Sequence, residues 1–131
     1  MSELEKKYYL IDAGKKPLGR FASKAASLLL GKNLVDFKKN LPANNIVIII
    51  NADNVYLSGS KSLSKQYFKY SGYHGGIKIK KYNELNSTEI IKKAIYGMLP
   101  DNKLRKQILK NLKIFPGNEH PGIQEDLVIK E

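Results

Sequence analysis

With 131 residues, 42% of them hydrophobic and 27% charged, the chain has the composition of one folded domain, large enough to bury a core without staples. Its 23 Lys and Arg against 12 Asp and Glu leave a net charge of +11, which favours polyanionic partners, nucleic acid ahead of a membrane surface. There is no cysteine, so disulfides, zinc–thiolate sites and thiol catalysis are excluded, and a reducing compartment fits.

In chain order, strand and helix signals alternate. Residues 8–12 are a short β-prone run, and 17–30 read as a helix with Leu18, Phe21, Ala22, Ala25, Leu28 and Leu29 on one side and Gly31 as its stop. Residues 46–50 are almost continuously β-branched, as in a strand covered on both faces, and 55–57 are expected to add a short neighbour. Residues 67–70 and 77–82 read as further extended segments around a glycine-rich break. Asn86 is placed to cap the next helix with Glu89 three positions on, and Pro100 stops it. On that helix Ile90, Ile91, Ala94, Ile95, Met98 and Leu99 share the core face, while Lys92, Lys93 and Tyr96 lie opposite. Asp101 is then expected to cap a second helix with Leu104, Ile108, Leu109 and Leu112 inward and Lys103, Lys106, Lys110 and Lys113 outward. The pattern favours a single α/β domain over residues 1–131, with helices covering a largely parallel sheet and basic surface extensions.

Charge is unevenly placed. From residue 54 to 83 there are six lysines, Lys61, Lys65, Lys69, Lys78, Lys80 and Lys81, and no acid. Tyr67, Phe68, Tyr70, Tyr73 and His74 stand among them, beside Gly72, Gly75 and Gly76, which allow close backbone approach. That mixture suits RNA, with phosphates on the lysines and unpaired bases on the rings, and the acid-free stripe of Lys103, Lys106, Lys110 and Lys113 is expected to bind RNA as well. The plainer alternative is that alternate aromatics fill the core while lysines keep an edge strand soluble, and that the later lysines only solvate a helix.

The first loop offers a rival reading. Gly14 and Gly19 have the spacing of a phosphate-binding loop between a strand and a helix. However, Arg20 stands where the lysine belongs, Phe21 replaces the magnesium-binding hydroxyl, and the later apolar strand ends at Asn51 and not at an aspartate. Nucleotide hydrolysis is therefore not expected. What survives is an anion site at a helix N-terminus, with Lys15, Lys16 and Arg20 as its cations, against a tight turn with solvated charges. His74 and His120 are the only histidines, and no nucleophile-elbow spacing accompanies them. Asp12 and Asp53 read as turn or cap residues.

Several separated motifs carry a family resemblance. Gly97-Met98-Leu99-Pro100 precedes a basic helix and Leu112-Lys113-Ile114-Phe115-Pro116-Gly117-Asn118-Glu119-His120. Upstream stand Leu10-Ile11-Asp12-Ala13, Pro17-Leu18-Gly19-Arg20-Phe21-Ala22, Ile48-Ile49-Ile50-Asn51-Ala52-Asp53, Leu57-Ser58-Gly59-Ser60-Lys61 and Gly75-Gly76-Ile77-Lys78. In this order they closely resemble the bacterial-type ribosomal large-subunit protein thirteen family, over roughly residues 8–120, with a less similar tail at 121–131. Two segments depart from the family pattern. Leu41-Pro42-Ala43-Asn44-Asn45 stands in place of an acidic, glycine-containing turn, and Lys69-Tyr70-Ser71-Gly72-Tyr73-His74 in place of a histidine-rich stretch.

The resemblance implies a three-layer α/β/α domain, no catalysis, and a structural role in binding and organising large-subunit rRNA beside neighbouring ribosomal proteins. No cofactor, metal, membrane or small-molecule substrate is expected. No run approaches the roughly 18 apolar residues of a membrane span, and Met1-Ser2-Glu3-Leu4-Glu5 has no signal-peptide or transit-peptide character. The large subunit of a cytoplasmic ribosome is the expected location, an organellar ribosome the alternative. A non-ribosomal RNA-binding protein, or more distantly a phosphate-binding enzyme, are the competing functions.

Overall fold

The structure, a computed structural model, describes residues 6–14, 16–35, 44–55, 65–119 and 128–130, the last three by backbone alone. Lys15, Lys61, His120 and residues 56–57 lie outside them. The first unit is the expected crossover: β1 (Lys7–Asp12), α1 (Leu18–Leu30) and β2 (Asn45–Ile50), with β1 and β2 parallel from Lys7↔Asn45 to Asp12↔Ile50. Parallel neighbours require such a crossover, because the chain must return to the same end of the sheet. Pro17, at φ −60, sets the entry to α1, where its missing N–H would have no helical partner anyway. Gly31, at φ 79, ends the helix: its N–H donates to the Leu28 carbonyl at 3.1 Å, and that of Lys32 to Ser27 at 3.2 Å.

The core grows from this unit. Leu18, Phe21, Ala22, Ala25, Leu28 and Leu29 of α1 are buried on the predicted side, over Tyr9, Ile11, Val47 and Ile49 of the two strands. Ile48 and Ile50, which alternate to the other face of β2, are buried too, as a strand covered on both sides requires. Among the described residues one polar side chain is buried. Asn45 donates to the Leu28 carbonyl at 2.8 Å and to Asn33 at 3.4 Å, and Asn33 donates to the Tyr9 hydroxyl at 2.8 Å, tying the end of α1 to the start of β2.

Next come β3 (Gln66–Tyr70) and β4 (Ile77–Lys81), an antiparallel hairpin that forms its own two-stranded sheet. Val55 belongs to no strand; a 3-10 turn, Ala52–Asn54, leads away from β2 instead. α2 (Ser87–Met98) buries Ile90, Ile91 and Ile95 against α1. Each fully buried side chain of this size stabilises the fold by roughly 1.5–3 kcal/mol. Two local expectations need correcting. Asn86 does occupy the cap position, but its side chain makes no capping hydrogen bond. Met98 is 43% exposed, because the helix ends there and Leu99, in extended backbone, turns inward in its place.

The second C-terminal helix is also shorter than its periodicity predicts. α3 spans only Leu104–Leu109, and Leu112 and Lys113 belong to β5 (Leu112–Ile114), which runs parallel to β2. The sheet wins this segment because it satisfies open groups on β2: Val47 N–H donates to the Asn111 carbonyl at 3.0 Å, and Phe115 N–H to Ile49 at 2.8 Å. Asp101 is not the cap. It pairs with Arg105 at 2.7 Å, and Asn102 accepts the Leu104 N–H at 3.0 Å. Finally β6 (Val128–Lys130) joins the free side of β1, giving a parallel sheet of order β5-β2-β1-β6 in an α/β fold.

Candidate nucleic-acid interface

The hairpin brings exposed lysines, Lys69, Lys78, Lys80 and Lys81, together with the exposed rings of Phe68, Tyr70, Tyr73 and His74. Every residue of β4 is exposed, and of β3 only Tyr67 is half-buried. At its open end Tyr82 N–H donates to the Lys65 carbonyl at 3.0 Å, and Tyr67 and Tyr82 rest against the core. At its tip the turn needs glycine. Gly72 and Gly75 are left-handed at φ 89 and 73, and a Cβ on Gly76 would overlap the Ser71 hydroxyl. This turn leaves Tyr73 and His74 exposed.

Between the hairpin and α2 lies a cleft of about 430 Å³. Lys69, Lys78 and Lys80 line it from the hairpin and Lys92 and Lys93 from α2, against one acid, Glu89; Tyr67, Phe68 and Leu85 supply its apolar wall. Lys69 and Lys78 are direct cross-strand partners, so like charges are held side by side, a destabilising arrangement that an anion would relieve. Tyr67 lies under two ammonium groups, Lys65 Nζ at 5.5 Å and Lys93 Nζ at 5.3 Å from its ring centre. Its hydroxyl is buried without a hydrogen-bond partner among the described residues, and burial, then the neighbouring Tyr82, raises its pKa above the usual phenol value. Lys80, Lys92 and Lys93 were absent from the site expected from sequence. The acid-free run already marked Lys80, whereas α2 reaches the hairpin only through the fold.

Other expected cations lie elsewhere. Lys16 and Arg20 are exposed at the start of α1, beside a turn that Asp12 organises. Asp12 accepts the Gly14 N–H at 2.8 Å and Asn51 Nδ2 at 2.9 Å; the Asn51 bond, the Gly14 bond and the Lys16 charge hold its carboxyl below the usual value. Across the exit of β2, the N–H groups of Asn51, Ala52 and Asp53 donate to the carbonyls of Gly117, Phe115 and Pro116 at 2.8, 3.2 and 3.4 Å. In open α/β sheets ligands bind at this end of the strands, and here the chain's own backbone laces it. Asp53 accepts from the Ser87 hydroxyl at 2.5 Å, so both aspartates serve structural turns.

Lys103, Lys106, Lys110 and Lys113 are all exposed but do not form one helical stripe. Lys106 is on α3, Lys103 and Lys110 flank it, and Lys113 is on β5, in register with Ile48. Arg105, unremarked in the sequence, stacks on Tyr96 at 3.7 Å from its ring centre.

A parallel α/β body bearing a lysine-lined cleft and an exposed aromatic hairpin has the surface chemistry of a nucleic-acid-binding module. No group of three His, Asp or Glu that could hold a metal occurs among the described residues. The family model described as Ribosomal protein L13 matches residues 6–121. The large ribosomal subunit protein uL13 of Natranaerobius thermophilus is 43% identical over 122 residues, covering 91% of this chain and 85% of that protein. The proteins of that name from Carboxydothermus hydrogenoformans and Prochlorococcus marinus are 43% and 40% identical, each over 92% of this chain and over 86% and 83% of their own lengths. The chain belongs to the ribosomal protein L13 family.

Proposed function

We propose that this protein is a structural constituent of the large ribosomal subunit, acting as a single domain that binds and organises large-subunit rRNA beside neighbouring ribosomal proteins in the cytoplasm. Its work is to neutralise converging phosphates and hold RNA segments in place, with lysines for attraction and the α/β body for rigidity. The observation that carries this reading is the cleft where, among the described residues, Lys69, Lys78, Lys80, Lys92 and Lys93 face the single acid Glu89. Lys15, Lys16, Arg20, Lys61, Lys65 and the lysines from Lys103 to Lys113 supply further contacts. No chemical step is required of it.

Cosedimentation of the tagged chain with large subunits through a high-salt wash tests the proposal. Retention is expected. Release into the supernatant together with binding to unrelated RNAs would favour a non-ribosomal RNA-binding protein. Nucleotide turnover that persists through purification and disappears with Gly19→Val would favour an enzyme.

A further inference from the structure

The hairpin's two faces differ in chemistry. Cross-strand partners project to one side, so Tyr67, Lys69, Lys78 and Lys80 share the face toward the cleft. Phe68 with Ile79, and Tyr70 with Ile77, share the reverse face, where they are 58, 53, 70 and 49% exposed. Apolar surface left this open calls for a covering ligand. The patch offers only on the order of a few hundred Å², against about 800 Å² from each partner in a stable protein interface. Nucleobases need far less area. An RNA strand also matches both faces at once, bringing phosphates for the lysines and planar apolar groups for the rings. Phe68 itself borders the lysine cleft, so the two surfaces are continuous.

We infer that Phe68 and Tyr70 form a stacking platform for unpaired nucleobases of the RNA whose phosphates enter the cleft, a reading that rests on the RNA-binding function proposed above. Alternate residues of one strand lie about 7 Å apart, so each ring takes its own base. Ile77 and Ile79 close the cross-strand side of the platform. Because every base has a π-face, the platform tolerates sequence variation while distinguishing single-stranded from paired RNA.

The test uses the full chain and two probes, an unstructured RNA oligonucleotide and a ribose-phosphate oligomer of equal length without bases. Phe68→Leu and Tyr70→Leu keep apolar bulk but remove the ring. Each should weaken binding to the base-bearing probe by roughly 5- to 150-fold, and Tyr70→Leu, at a residue that does not line the cleft, should leave the salt slope and the affinity for the abasic probe unchanged. Phe68→Trp introduces the only tryptophan in the chain. It should keep wild-type affinity and change fluorescence on binding the base-bearing probe alone, which also shows that the hairpin is folded. If wild type prefers neither probe, or both leucine variants bind like wild type, the platform is refuted and a protein neighbour becomes the better occupant, with the salt-dependent cleft left standing. Failure of wild type to bind either probe would overturn the RNA-binding reading itself.

Discussion

Replacing Lys69, Lys78, Lys92 and Lys93 together with Gln removes four charges from one cleft while keeping similar side-chain length. Each phosphate neutralised contributes about 0.7–0.9 to the slope of log affinity against log salt, so the quadruple variant should lose roughly three units. Between 50 and 200 mM salt this is the difference between an affinity that falls by an extra factor of about 50 to 150 and one that does not. Stability should move little. Separating the cross-strand pair Lys69–Lys78 relieves repulsion, whereas loss of the Lys93–Tyr67 contact costs about 0.5–1 kcal/mol. Binding to structured RNA at four or more salt concentrations, with thermal melts as a folding control, measures both. A wild-type slope in a variant with a wild-type melt would refute the assignment of phosphates to this cleft. The matching replacement of Lys103, Lys106, Lys110 and Lys113 should lower the slope less, because those lysines are dispersed over a turn, a short helix, its end and a strand.

Three further outcomes are expected. Ile108→Ala, at a 3% exposed position, should cost about 2–5 kcal/mol in chemical denaturation and clearly more than Leu109→Ala, whose side chain is only partly buried. Because the Asp12 pKa is lower folded than its ordinary 3.8, its ionised form contributes stability above that value, lost as pH falls through the folded pKa. The stability difference between wild type and Asp12→Asn, followed by melts from neutral pH downward, should therefore shrink below about pH 4; a constant difference would contradict the linkage. Gly76→Ala should cost about 1–3 kcal/mol of hairpin stability by overpacking, with partial recovery in the double variant with Ser71→Ala, read by amide exchange at Phe68 and Ile79.

The elements with strong local signals were legible in the sequence. Crossover and hairpin follow from Pro17, Gly31, the β-branched run before Asn51, and the glycines between Tyr70 and Ile77. β5 was hidden because Leu104, Ile108, Leu109 and Leu112 fit a helical period, while three strand residues have no period of their own; the open edge of β2 decides their state. β6 is equally short and depends on β1. The cleft was half legible. Composition marks Lys69 and Lys78, but Lys92 and Lys93 look like an ordinary wet helix face until α2 is laid beside the hairpin.

The order of strands in the sheet has a consequence for synthesis. β1 and β2 leave the translating ribosome first, yet the strands that flank them, β5 and β6, lie at Leu112–Ile114 and Val128–Lys130. Until Leu112–Ile114 emerges, the strand Asn45–Ile50 keeps one unpaired backbone edge, and the outer edge of β1 waits longer still. Such late, non-local closure folds slowly and leaves a β-branched edge open to other chains. A nascent chain halted before Leu112 therefore carries a sticky half-sheet, and timely arrival of Leu112–Ile114 and Val128–Lys130 is the molecule's own protection against aggregation.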